Sequence, residues 1–306
     1  MRFVIDDGAF REWDTLTPTL DESLSLFGDL LKTFRDNHTP VGLLGGWGSL
    51  KVTEQDDLAT VLSEHDSIVD KDLRRLLLGL LGKCQIWDDD PSVVVSDDEL
   101  YVNGSAYQSL GVAYAVEAIS ESRGVGVLTM FHTGLVGLCD VSSSGFDYEL
   151  SFAVRPSDCL YFYRSLYALE DVGKEGFFDL ARNAFPDLCL AANLNFGSFD
   201  GGYALRDLVV QHLSALNDRF SEFYVSESGN SAQISIRIKI DVSIEGGTRS
   251  SQRLMAMRDV IFEGRTYRCE WHSKLEPHRN RIHFYPADAS THGKILIGIF
   301  TSHLPT

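Results

Sequence analysis

The chain has 306 residues, of which 44% are hydrophobic and 23% charged, and a formal net charge of −17. This is ordinary globular composition over a length that predicts two or three packed units. No run of eighteen apolar residues occurs, and the opening Met1-Arg-Phe-Val-Ile-Asp-Asp places acid where a secretory signal needs an unbroken apolar stretch, so the expectation is a cytoplasmic protein with no membrane attachment. An acidic average surface repels polyanions, which excludes a generic nucleic-acid binder.

Near the start, Thr19-Leu-Asp-Glu22 reads as a capping box, and Leu20, Leu24, Phe27, Leu31 and Phe34 follow at helical spacing, which predicts one amphipathic helix. Gly42 to Ser49 is glycine-rich but lacks the spacing of a phosphate-cradling loop, so it reads as a turn. Two more helices are expected over Asp56 to Glu64 and Asp70 to Leu81, each with acid in its first turn, where the helix dipole favours it. Asp88-Asp-Asp-Pro91 reads as a solvated loop; consecutive aspartates before a proline are a poor cation site. Short strands are expected at Val93 to Val95 and Leu100 to Val102, an alanine-rich helix at Tyr107 to Ser120, and strands at Val125 to Phe131 and Tyr148 to Val154. His132 reads as a satisfied strand-end histidine.

Helical periodicity then runs through 157–170, 174–184 and 203–220, broken by Phe185-Pro186 and by Gly197 to Gly202. Ser226 to Ser231 is polar and small, which reads as a linker before Ser235-Ile-Arg-Ile-Lys-Ile240. That segment alternates apolar and basic residues and is expected to be a strand with Arg237 and Lys239 on one face. Arg249 to Phe262 is expected to be helical, with Arg249 and Arg253 one turn apart on its polar side. Three strands follow, at Tyr267 to Leu275, Asn280 to Tyr285 and Lys294 to Phe300.

The fold class is therefore α+β: an acidic mixed helix and strand region over 1–155, a helical region over 156–229, and an antiparallel sheet with one helix over 230–306. From Ile236 onward, 11 lysines and arginines face 7 aspartates and glutamates, a net +4, whereas the preceding residues hold 16 against 37, a net −21. The tail also carries five of the nine histidines.

Candidate chemistry concentrates in that tail. Period-two geometry puts Arg268, Glu270, His272 and Lys274 on one strand face and Arg281, His283 and Tyr285 on the matching face of the next. Antiparallel pairing across Glu276-Pro277-His278 would place them on one surface. Histidine titrates near neutrality, so His272 and His283 are acid and base candidates for metal-free phosphodiester cleavage, with Arg281 and Lys274 clamping the phosphate. Arg268, Arg249, Arg253, Arg237 and Lys239 are the candidate nucleic-acid contacts. The competing reading is a solvated sheet face with ordinary basic and aromatic residues. The five cysteines, Cys84, Cys139, Cys159, Cys189 and Cys269, form no Cys-x-x-Cys pair and read as buried reduced thiols. No cofactor or patterned metal site is expected, and only an unpatterned mixed-ligand set remains open.

A basic helix, antiparallel strands carrying Arg, Lys and His on one face, and a glycine-containing apolar last strand resemble the RelE/ParE-like superfamily of small bacterial ribonuclease toxins, over the last 60 to 70 residues. The resemblance implies metal-free RNA cleavage, often on ribosome-bound messenger RNA, by His272, Lys274, Arg281, His283 and Tyr285. Cys269 to Leu275 with Arg281-Ile-His-Phe284 is also similar to tails of prokaryotic proteins associated with phage defence. Two features depart from the toxins: 235 residues, acidic overall, precede the tail, and Ser302-His303 stands where their paired lysines fall. The His272-x-Lys274 pair is shared with phospholipase D enzymes, but Arg279 stands where those need aspartate. The resulting expectation is an RNA-cleaving hydrolase of a toxin or antiviral defence system, its acidic N-terminal region docking a protein partner. The alternatives are a non-catalytic nucleic-acid-binding subunit or a scaffold.

Overall fold

The computed structural model describes residues 2–13, 19–64, 68–88 and 99–304. The class is α+β, in two compact units, 1–170 and 171–306. The expected boundaries at 155 and 229 both fall inside units. The reasons are local: helix α5 (Cys159–Leu169) packs on the last two strands of its unit's sheet, and the 226–231 segment is only a tight turn between two helices of the second unit.

Unit 1 is built on an eight-stranded sheet. Its strands are β1 (Phe3–Ile5), β2 (Val41–Leu43), β3 (Gln85–Ile86), β4 (Leu100–Val102), β5 (Ser105–Tyr107), β6 (Gly126–Leu128), β7 (Gly137–Ser143) and β8 (Phe146–Ala153). Their spatial order is β3-β2-β1-β6-β8-β7-β4-β5, and the first five run parallel. Helices α1 (Leu20–Asp36), α2 (Leu58–Ser63), α3 (Lys71–Leu81) and α4 (Leu110–Ser120) connect them. The five apolar positions expected on α1 are all buried. Asp57 and Asp70 cap α2 and α3 by accepting backbone N–H bonds from the first turn; the acid expected inside the first turn is present in α3 as Asp72, whereas in α2 it stands one position earlier, at the cap. The residues expected as a strand at Val93 to Val95 lie outside those described.

The antiparallel half of this sheet is set by two hairpin turns, Asn103-Gly104 and Ser144-Gly145, in which both residues have positive φ. That conformation matches the twist of the flanking strands and favours glycine at its second position.

The parallel half winds outward from its centre. From β1 the chain moves to β2 and β3 on one side, then returns to place β6 on the other. The reversal opens a crevice at the carboxyl ends of β1 and β6. Helix α4 is pressed onto that edge: a Cβ added to Gly111 would lie 2.1 Å from the carbonyl oxygen of Ile5. Gly111→Ala is therefore expected to destabilise unit 1 by about 3 kcal/mol or more, because backbone and not a flexible side chain must move. Denaturant unfolding followed by fluorescence checks this, and a change below about 1 kcal/mol would mean that the contact relaxes easily.

Unit 2 begins with α6 (Lys174–Ala184) and β9 (Leu188–Leu190), then α7 (Arg206–Ala215). A π-turn over Leu216–Phe220 joins α7 to α8 (Ser221–Ser226), and α9 (Ser231–Ile238) follows. Next come β10 (Val242–Ile244), α10 (Gln252–Ala256), β11 (Asp259–Phe262), β12 (Arg265–Arg268), β13 (Trp271–Glu276), β14 (Arg279–Tyr285) and β15 (Ile295–Thr301). The five-stranded sheet runs β10-β13-β14-β15-β9, and β11 pairs with β12 as a separate hairpin.

Three expectations fail here. Residues 235–240 are not a strand: Asn230 caps α9 by accepting the Gln233 N–H, and Ile234 and Ile238, four apart, are the buried positions. The same isoleucines fit both periods, and the cap decides for helix. The helix expected over 249–262 shortens to α10, since the Glu263-Gly264 turn folds β11 back on β12. The strand expected over 267–275 breaks at Cys269-Glu270, so Arg268 belongs to the hairpin and His272 to the sheet.

Candidate functional sites

The register of β13 and β14 pairs His272 with His283 and Lys274 with Arg281. Alternation therefore places these four side chains on one sheet face, as the sequence predicts. Over the two histidines that face is covered, whereas Lys274 and Arg281 stay partly exposed. His272 is 5% exposed and His283 0%, because Glu245, Arg258 and the β11–β12 hairpin lie over them. The opposite face is buried as well: Phe220 of the π-turn meets Trp271 and Phe284 edge-on, and His212 of α7 lies 2.6 Å through Nδ1 from the Ser273 hydroxyl.

Burial decides the chemistry of these rings. Desolvation, followed by repulsion from Arg281, pulls His272 down to about 4. Desolvation and the neighbouring His272 pull His283 down to about 3. Both are neutral at pH 7. A solvent-inaccessible imidazole that stays neutral cannot cycle protons with a bulky substrate.

The other expected residues are dispersed and paired. Arg268 makes a two-pronged ion pair with Asp259 at 2.8 and 3.1 Å, and Lys274 lies 3.0 Å from Asp241. Arg249 bonds Glu270, and Arg237, exposed on α9, lies 3.5 Å from Glu227. Lys239 ends α9 with positive φ, Arg253 is exposed on α10, and Arg281 is half-buried beside the histidines. The Tyr285 hydroxyl donates to Asp288 at 2.6 Å, and that bond first, with burial second, pushes the phenol up to about 12. Expected contacts and expected catalysts thus do not form one basic surface.

What the face does assemble is a compact polar set. The ligand-capable atoms of Glu245, His272 and His283 all lie within 4.8 Å of one another. Glu245 reaches the set from the segment after β10, where its backbone N–H bonds the Glu270 carbonyl. Its Oε1 is 2.8 Å from Nε of buried Arg258 and 3.6 Å from His272 Nδ1. On the far strand the β14–β15 register slips between His283 and Phe284, leaving Gly298 as the extra residue of a bulge. Cys269 presses on that glycine, 2.4 Å from where a Cβ would sit.

Unit 1 holds a second site, which the composition did not reveal. Asp6 and Asp7 follow β1 directly, at the crevice. Asp6 is fully buried: Oδ2 accepts the Tyr107 hydroxyl at 2.6 Å and the Thr129 hydroxyl at 2.7 Å, and Oδ1 accepts the Gly8 N–H. Burial pushes its carboxyl above the usual range against the opposing pull of those hydroxyls. Asp7 Oδ1 accepts the Gly111 N–H at 2.7 Å and the Ser109 hydroxyl at 2.9 Å, both at the start of α4. Asp7 also lines a cavity of about 630 Å³, with Arg11, Glu99, Tyr107 and Gln108 among its polar walls and Leu44 and Leu110 among its apolar ones. The available signal was Phe3-Val-Ile5 followed by Asp-Asp-Gly, a strand one residue shorter than periodicity detects. His132 is half-buried with Nδ1 2.9 Å from the Ser23 hydroxyl, a structural contact.

Compared with protein-family models, with curated proteins and with solved structures, the chain finds no match in any of the three.

His212 supplies a test of how burial governs unit 2. Desolvation pulls it down to about 4 despite the opposing charge of Asp241. Its folded value lies below its unfolded one, so the stability it contributes is full above about pH 6.5 and is lost as pH falls towards 4. Wild-type unit 2 is expected to lose on the order of 1–3 kcal/mol from this group between pH 7 and pH 4.5. His212→Gln, which cannot titrate, is expected to lose correspondingly less, as read from urea midpoints at the two pH values. Equal losses in both proteins would contradict the assignment.

Proposed function

We propose that the chain is a small-molecule-binding protein whose site is the crevice at the carboxyl edge of the unit 1 sheet. The observation that supports this is a cavity of about 630 Å³, lined by Asp7 after β1, Leu44 after β2 and the start of α4, within the usual size of ligand sites and beside the point where the strand order reverses, where parallel α/β sheets bind their ligands.

The residues narrow the ligand class. In sheets of this kind, the first turn of a helix at the crevice holds phosphate with free backbone N–H groups. Here Asp7 already occupies that position on α4 through Gly111 N–H and the Ser109 hydroxyl, and its charge repels a second anion. Glu99 adds another carboxylate to the wall, and Arg11 is engaged by the Gln108 side chain at 2.7 Å. The site suits an uncharged or cationic ligand that donates hydrogen bonds from hydroxyl or amino groups and carries an apolar part for Leu44 and Leu110. A nucleoside fits this description better than its phosphate.

The test is calorimetric titration of the full chain with matched pairs, nucleosides and amino sugars against their phosphorylated forms. Binding by the unphosphorylated member alone, weakened about tenfold or more by Glu99→Gln or Arg11→Ala, is the expected result. Tighter binding of the phosphorylated members, or no heat from any pair, would overturn the reading.

The RNA-cleaving proposal has less to support it, since its acid and base are buried and neutral and several of its cations are paired with carboxylates. RNA incubated with the chain in EDTA is therefore expected to remain intact. Cleavage that disappears in His272→Ala, with folding preserved, would restore that proposal.

A further inference from the structure

We propose that Glu245, His272 and His283 of unit 2 form an internal binding site for a single divalent transition-metal ion of the zinc type. The argument starts from His283. It is fully buried, and its Nδ1 lies 3.3 Å from the Cys269 carbonyl oxygen. A carbonyl only accepts, so Nδ1 carries the ring's hydrogen and Nε2 presents a lone pair. That Nε2 is buried and has no hydrogen-bond partner. A buried acceptor left without a donor is destabilising, and His283 offers one ring nitrogen to the set it shares with His272 and Glu245.

His272 repeats the arrangement. Its Nε2 lies 3.0 Å from the Ser243 hydroxyl, while Nδ1 is buried without a hydrogen-bond partner, 3.6 Å from Glu245 Oε1. When Nε2–H donates to Ser243, two nitrogen lone pairs face a carboxylate that Arg258 already engages, a set of electron donors that a further cation would stabilise. Metal-bound histidines are held in this way: one nitrogen faces the ion and the other donates outward to a carbonyl or hydroxyl. The competing arrangement, in which Ser243 donates and His272 Nδ1–H points at Glu245, still leaves His283 Nε2 without a donor.

Geometry and charge select the ion. Ligand distances of about 2.0–2.2 Å put bound atoms about 3–4 Å apart; the His272–Glu245 pair already stands at 3.6 Å, and the whole set, now within 4.8 Å, draws together around the ion. Arg258 already offsets much of the Glu245 charge, which disfavours magnesium and calcium, ions that depend on several oxygen ligands. Zinc, cobalt and nickel draw their binding from the two imidazoles. Three protein ligands leave one position for water. With every ligand buried, the ion enters most readily as unit 2 folds.

The test uses the full chain, refolded from guanidinium with chelator and then again with one equivalent of zinc or cobalt. The expected result is one ion retained per chain through gel filtration, and zinc-edge X-ray absorption showing two imidazole nitrogens and no sulfur. Glu245→Gln and His283→Gln are expected to weaken retention about a hundredfold, and Ser243→Ala about tenfold, the size of effect that orienting residues have. His292→Ala, which removes an exposed histidine that bonds Glu263, is expected to retain the ion unchanged. The absorption spectrum needs no variant, so misfolding of a substituted chain does not blunt the test. Sulfur in the coordination sphere, retention lost with His292, or no retained ion would overturn the proposal.

Discussion

Each unit is organised around polar side chains that folding removes from water, and the requirement that they find partners constrains most of what surrounds them. An unpartnered buried polar atom costs as much as a sizeable fraction of a domain's net stability. In unit 1 the burden falls on Asp6 and Asp7. Their oxygens gather hydroxyls and amides from the Tyr107 to Gly111 segment and from Thr129, tying the end of β1 to the start of α4 and to the end of β6. The crevice itself follows from the strand order, and of the two carboxylates Asp7 lines the cavity beside it.

In unit 2 the corresponding constraint falls on the histidine face. A sheet with helices on one side can leave the other side to water, but here Arg258, with Glu245 and the β11–β12 hairpin, closes it. Closing converts two residues that titrate near neutrality into neutral imidazoles, and so withdraws acid–base chemistry from that face. Identical residues on an open sheet would have supported the phosphodiester reading.

The parts of this fold that could be read from sequence are those set by local period. The buried stripe of α1, the places of α2 and α3, and the shared face of His272, Lys274, Arg281 and His283 were legible in this way. What spacing could not supply is what covers a face. Alternation puts His272 and His283 side by side whether water or Glu245 lies above them, and Glu245 is twenty-seven residues from His272 in a stretch that carried no pattern. The segment around Ile234 to Ile238 suits strand and helix equally, and the outcome turned on a single asparagine cap. Asp6 and Asp7 were visible, but a three-residue strand gives too few alternations to declare itself, and the meaning of a carboxylate at its end depends on which strands lie beside it.

The central claim is that the histidine face is buried and neutral, with His283 holding its hydrogen on Nδ1. Two-bond nitrogen–proton NMR spectra of the metal-free, isotope-labelled chain at pH 7 test it most directly, with the rings assigned by His272→Gln and His283→Gln. The account predicts that each ring shows one protonated and one unprotonated nitrogen, and that for His283 the unprotonated one is Nε2. An imidazolium pattern for either ring, or a hydrogen on His283 Nε2, would contradict it.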